Sequence, residues 1–215
     1  GNFDGGSGTI DRISGAGTIT WDTGDWVINA YPAELGAPDE TYSDPILTVD
    51  PDGSGTLSMN VFIPGHTDFL YGTGWVDPVG PQRIVIATFS DATTVTSGMR
   101  IAPDFAGRAY TPQAGASPWA SCSGSGGSWP AELIDFLPGS VRPHYYTTSC
   151  VGLNLMKPPL PIDVSWADIA PAILRQPVAP TAAVPASADY SMKIVATGSP
   201  TPAVQWQRSF DNGAT

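Results

Sequence analysis

The sequence predicts an all-β protein: a two-sheet, β-sandwich-like domain over residues 1–170 with one short helix, then part of a second β module over 171–215. Three observations point there. The 215 residues include 24 glycines and 22 prolines, residues that punctuate strands and loops and are costly inside helices. The stretch "SDPILTVDPDGSGTLSMNVFIPG" alternates with period two on both sides of a glycine-bearing turn. Only "WPAELIDFLP" has the make-up of a helix. A hydrophobic fraction of 41% and this length suit one generous domain, or one domain plus a fragment.

In chain order, "GNFDGGSGTIDRISGAG" reads as a glycine-rich lead-in. Thr18–Trp21 and Asp25–Tyr31 read as two short strands, with "DTGD" between them as a hairpin-like turn. Ile46–Asp50 and Leu57–Phe62 form the clearest hairpin, because the glycines of "DPDGSG" supply the positive φ such a loop needs. Residues 64–82 read as loop, Arg83–Phe89 as a strand, 99–110 as an irregular strand and 111–128 as a long surface loop. In "WPAELIDFLP", Pro130 sits where a missing N–H matters least and Glu132 favours the helix N-terminus. Pro138 ends the helix, and Leu133, Ile134 and Leu137 point inward. Ile162–Trp166 reads as the domain's last strand. Residues 167–187 form a proline-rich boundary that serves either as linker or as the place of the next module's first strand. "YSMKIVATG" and "AVQWQRS" then alternate as strands, with a turn at "DNG". This final hairpin lacks a facing sheet and reads as the start of a truncated module.

The net charge is -11. Residues 1–82 hold twelve Asp and Glu against one Arg, whereas the remainder holds eight of each sign. Such a field repels phosphate backbones and anionic membranes, which excludes nucleic acid as the natural partner class. No apolar run is long enough to span a bilayer as a helix. Two cysteines in a lysine-poor chain fit an oxidising compartment, and Cys122 with Cys150 reads as a disulfide. An extracellular or cell-surface location follows, with no direct membrane insertion. The expected partners are other surface proteins or further domains of the same parent chain.

Two resemblances sharpen these expectations. The segments "GAGTITW" (15–21), "YSDPILTVDPDGSGTL" (42–57), "IATFS" (86–90), "IAPDFAG" (101–107), "WPAELIDFLP" (129–138) and "KPPLPIDVSW" (157–166) resemble the HtaA-type domain of actinobacterial secreted and surface proteins. That resemblance implies an all-β, two-sheet fold and, in founding members, haem binding and relay through a tyrosine ligand supported by a histidine. The family's ligand tyrosine lies near the domain start in a Ser-Phe-x-x-Tyr context, and this chain has no tyrosine before Tyr31. The tail "ATGSPTPAVQWQRSFDNG" resembles the first half of a bacterial immunoglobulin-like domain, with Trp206 as its core tryptophan. Such modules serve as spacers or adhesive stalks.

The chemistry-bearing residues are few. Tyrosine and histidine can ligate ferric haem, and the candidate ligands are His144 with Tyr146, then His66 with Tyr71. His144 and Tyr146 share a face if the segment is one strand. Asp44, Asp50 and Asp52 around "DPDGSG" are candidate calcium ligands, although an EF-hand would need a glutamate where Val61 stands. No GxSxG or HExxH is present, so the chain reads as non-enzymatic, a module for display, adhesion or assembly that needs no cofactor. Haem relay is the alternative. A carbohydrate-binding or glycoside-active domain is the other, with Trp21, Trp26, Trp75, Trp119 and Trp129 as sugar-facing aromatics and carboxylate pairs unresolved by sequence.

Overall fold

A computed structural model describes residues 2–22, 24–29, 37–68, 74–95, 97–112, 122–150, 152–185, 187–199, 201–207 and 209. The chain divides into two compact units, Gly1–Val164 and Ser165–Thr215. It is an all-β, sandwich-like protein with one short α-helix.

The first unit is built on a six-stranded antiparallel sheet. Its strands are β1 (Ser7–Ile10), β2 (Gly17–Thr20), β3 (Asp25–Ile28), β4 (Glu40–Val49), β5 (Gly55–Ile63) and, after an intervening hairpin, β8 (Val79–Phe89). The order is β1-β2-β4-β5-β8, with β3 also on β4. The predicted β4–β5 hairpin is present. Its turn closes through Asp50 N–H to Ser54 O at 2.7 Å and Gly53 N–H to Asp50 O at 2.9 Å, with Gly53 at φ 85°.

The expected "DTGD" hairpin is corrected. β2 and β3 do not pair with each other. They lie end to end along β4, β2 against Ile46–Val49 and β3 against Glu40–Ser43. The cause lies in β4 itself. Asp44 has φ 50°, and the inward side chains change parity there, from Glu40 and Tyr42 to Pro45, Leu47 and Val49. Such a slip is a β-bulge, and the facing strand breaks opposite it. Trp21 N–H still reaches Pro45 O at 3.0 Å. The lead-in also contains β1, and residues 64–82 contain the hairpin β6 (His66–Asp68) and β7 (Gly74–Val76). The residues Ala30 and Tyr31 of the predicted second strand lie outside the described residues.

Smaller pieces complete the first unit. β9 (Ala92–Val95) and β10 (Gly98–Ile101) form a hairpin joined by β13 (Ile162–Ser165). The predicted strand over 99–110 therefore ends at Ile101. β11 (Gly124–Ser128), within the stretch 111–128 expected to be loop, pairs with β12 (Tyr146–Thr148). The helix α1 (Ala131–Phe136) falls where predicted, with Pro130 as N-cap and Glu132 in its first turn. Leu133, Ile134 and Leu137 are fully buried. Arg142 closes the helix end, donating from Nε to Leu137 O and from Nη2 to Asp135 O, both at 2.7 Å, and so satisfies carbonyls that a helix terminus leaves open. Glu132 accepts the Val85 N–H at 3.2 Å, which blunts the edge strand β8.

The core lies between the inner face of the sheet (Tyr42, Met59, Val61, Ile63, Ile84, Ile86) and an opposing layer formed by α1, Val141, Tyr145, Tyr146 and Tyr110. The predicted disulfide Cys122–Cys150 is present, tying the start of the β11 segment to the end of the β12 segment.

Among its described residues the second unit holds one antiparallel pair, β14 (Ile169–Arg175) with β15 (Val195–Ser199). β14 lies within the proline-rich boundary, which thus contains a strand. Its Pro171 coincides with a register shift between Ile169 and Ala172, where a missing N–H does least harm. The expectation of strand over Tyr190–Gly198 is met only from Val195, and the described residues of "AVQWQRS" form no strand. A strand needs a neighbour for its backbone groups, and this segment has none among the described residues. The "DNG" turn lies outside the described residues.

Candidate functional site

The first unit encloses a carboxylate in its core, that of Glu40. β4 places Glu40 and Tyr42 two residues apart, hence on one face of the strand, and that face is the core. Glu40 is 6% exposed, Tyr42 2% and Tyr145 7%. Glu40 Oε2 accepts from the Tyr42 hydroxyl at 2.8 Å and from the Tyr145 hydroxyl. The two hydroxyl oxygens are 2.9 Å apart. Rings enclose the trio: Trp26 stands 5.5 Å from Tyr42, and Trp129 lies edge-on to Tyr145 at 5.4 Å.

The electrostatics follow from this burial. Loss of water raises the Glu40 carboxyl above its ordinary range, and the two phenol hydrogen bonds offset part of the rise. Burial, with the carboxylate beside them, also pushes both phenols well above their usual values. The cluster therefore holds protons tightly. Glu40 Oε2 and the two phenol oxygens are spent on one another, which suits a structural clasp between the sheet and the opposing layer better than proton exchange with a substrate.

A second polar assembly surrounds Lys157, which is 6% exposed. Its Nζ donates to Tyr146 O at 2.8 Å and Asn154 Oδ1 at 2.7 Å. Its own carbonyl accepts the Trp129 indole N–H at 2.7 Å. Burial lowers this amine to about 8. Tyr110 donates to Asp135 Oδ1 at 2.5 Å, and burial, with that carboxylate, pushes its phenol up.

The sequence-predicted ligands are dispersed. His144 ends a 3-10 helix, Arg142–His144, whereas Tyr146 opens β12. The two are therefore not alternate residues of one strand, which corrects the premise that aligned them. Tyr146 is 1% exposed, its ring 4.9 Å from Tyr110, and burial raises its phenol, opposing the phenolate form an iron ligand takes. Burial, then the charge of Lys157, lowers His144. His66 is 8% exposed, with Nδ1 3.0 Å from Pro64 O and Nε2 3.4 Å from Ser140 Oγ. Both of its nitrogens are engaged inside the fold. Tyr71 lies outside the described residues.

The aspartates are not brought together either. Asp44 sits at the bulge and accepts from Ser43 and Asn60. Asp50 lies six residues along the chain, about 20 Å away at the rise of a strand. Asp52 is engaged by Ser54 through its N–H at 3.0 Å and hydroxyl at 2.6 Å, bonds that lower its carboxyl. Among the described residues no group of three or more His, Cys, Asp or Glu gathers as a metal site.

Of the tryptophans, Trp26 and Trp129 pack on the core. Trp75 is exposed on the β6–β7 hairpin and donates to Asp77 at 2.9 Å. Trp119 lies outside the described residues. Sequence reasoning passed over Glu40, Asn154 and Lys157. For Glu40 a signal was there: a glutamate two residues before a tyrosine at the head of an alternating strand shares that tyrosine's face.

Comparison with family models, with curated proteins and with solved structures finds no match.

Proposed function

We propose that the chain is a non-enzymatic module of an extracellular or cell-surface protein, acting in display, adhesion or assembly. The observation that carries this reading is the state of the second unit. None of its described residues is buried, while Ile169, Ile173, Leu174, Val178 and Val195 are each between 45% and 69% exposed. A two-stranded pair without a covering layer is marginal in water, and apolar side chains held outward on it form a joining surface. The layer that covers it is a β-sheet, from a further domain of the parent chain or from another surface protein. The disulfide supports an oxidising location. The likeness of residues 8–166 to HtaA-type domains, and of the tail to bacterial immunoglobulin-like domains, supports a multidomain surface protein.

Hydrogen exchange tests this. In the chain alone, amides of β14 and β15 are expected to exchange far faster than those of β5 and β8. Joining the chain to its covering sheet protects them, and Ile173→Asp prevents that protection. Slow exchange of β14 and β15 in the isolated chain would refute the reading. So would release of reducing sugar from a glycan, or a Soret shift with hemin that Tyr146→Phe or His144→Ala abolishes. The last two outcomes install glycoside chemistry and haem relay, respectively, in its place.

A further inference from the structure

Between the disulfide and β13 the chain turns its apolar side chains outward. Leu153 is 69% exposed, Leu155 97%, Met156 79% and Leu160 83%. The polar side chains of Asn154 and Lys157 are spent on neighbouring groups of the fold. Asn154 clasps the backbone of Thr148, accepting its N–H at 3.2 Å and donating to its carbonyl at 3.1 Å. Lys157 is buried against Tyr146 O and Asn154 Oδ1. Leu153 is held at φ 62°, a conformation that L-residues adopt only when their surroundings impose it. Pro158, Pro159 and Pro161 fix their own φ, and Cys150 is anchored to Cys122. The loop is thus preorganised with its hydrophobic residues on the outside.

Its charge is as unusual as its exposure. The chain carries -11, yet residues 149–162 contain no carboxylate, and their one cation, Lys157, is turned inward. Two copies of so acidic a molecule repel each other over most of their surfaces. The next carboxylate along the chain, Asp163, is paired with Arg100 at 2.8 Å, so here two copies meet with little like charge.

We propose that this ridge, Leu153 to Leu160, is a homodimer contact that packs on the same ridge of a second copy about a two-fold axis. A self-complementary patch is the commonest way for identical chains to associate. A leucine-sized side chain that leaves water removes about 100 Å² of apolar surface. Four such side chains and the flanking prolines give about 500 Å² per copy, about 1,000 Å² in all, which is the lower bound for a specific interface. The proposal does not rest on the joining surface of the second unit.

Sedimentation velocity of the whole chain between about 5 and 500 µM tests the proposal. A monomer–dimer equilibrium is expected, tightening as salt rises from about 50 to about 500 mM because screening weakens the repulsion between acidic copies. Leu155→Glu should raise the dissociation constant at least tenfold with an unchanged melting temperature, since so exposed a side chain contributes nothing to the core. Ile173→Glu, in the second unit, should leave the equilibrium unchanged. The proposal is overturned by a monomer at every concentration, or by a dimer indifferent to Leu155→Glu. A dimer lost in Ile173→Glu overturns it too, since the contact then belongs to the second unit. A monomer that floats with neutral phosphatidylcholine vesicles through Leu155 also overturns it, making the ridge a lipid contact.

Discussion

Glu40 carries its carboxyl group into the core, where burial and two phenol donors act in opposite senses on its ionisation. Burial is the stronger. A carboxyl group raised by folding contributes stability that is complete below its unfolded value, near 4.5, and is lost as pH rises through the folded value. Glu40→Gln keeps an oxygen for both phenols and removes the charge. Its melting temperature relative to the natural chain should therefore climb as pH goes from about 4.5 towards neutrality, which a calorimetric pH series measures. Glu40→Ala leaves a buried phenol without its acceptor and should cost about 1–3 kcal/mol at any pH in that range. The pairing of Glu40 with Tyr42 was legible from two-residue spacing. Tyr145, 103 residues beyond Tyr42, was not, because no local period links a strand at one end of the domain to a coil segment near the other.

Elements were legible where a single local rule governed them. The β4–β5 hairpin followed from alternation and its glycines, and α1 from Pro130, Glu132 and a row of three apolar residues. Leu133→Ala removes a fully buried side chain where α1 meets the sheet. It should lower unfolding free energy by about 2–5 kcal/mol in a denaturant titration. The pairing of β2 and β3 escaped because it is decided in β4, by the turn of Asp44 into positive φ. The segment around His144 escaped because Pro143 sits inside a 3-10 turn, whose side chains follow a period of three and not two. β1 and β11, rich in glycine and serine, are strands that tertiary pairing imposes on weak local preference.

For the whole molecule, the decisive covalent fact is the bond between Cys122 and Cys150. It closes a loop with a sequence separation of 28, for which chain entropy gives about 3–4 kcal/mol of stabilisation. Replacing both cysteines by serine should lower unfolding free energy by that amount, read from the denaturant midpoint. The same bond also governs behaviour under mechanical load. A chain pulled from its two ends lengthens as its strands part, but the residues between the cysteines stay out of the load path while the cross-link holds. At about 3.5 Å per residue of extended chain, oxidised protein should give a force-extension contour about 90 Å shorter than reduced protein. Loss of the bond would thus act as a shock absorber, releasing hidden length under strain in a reducing medium.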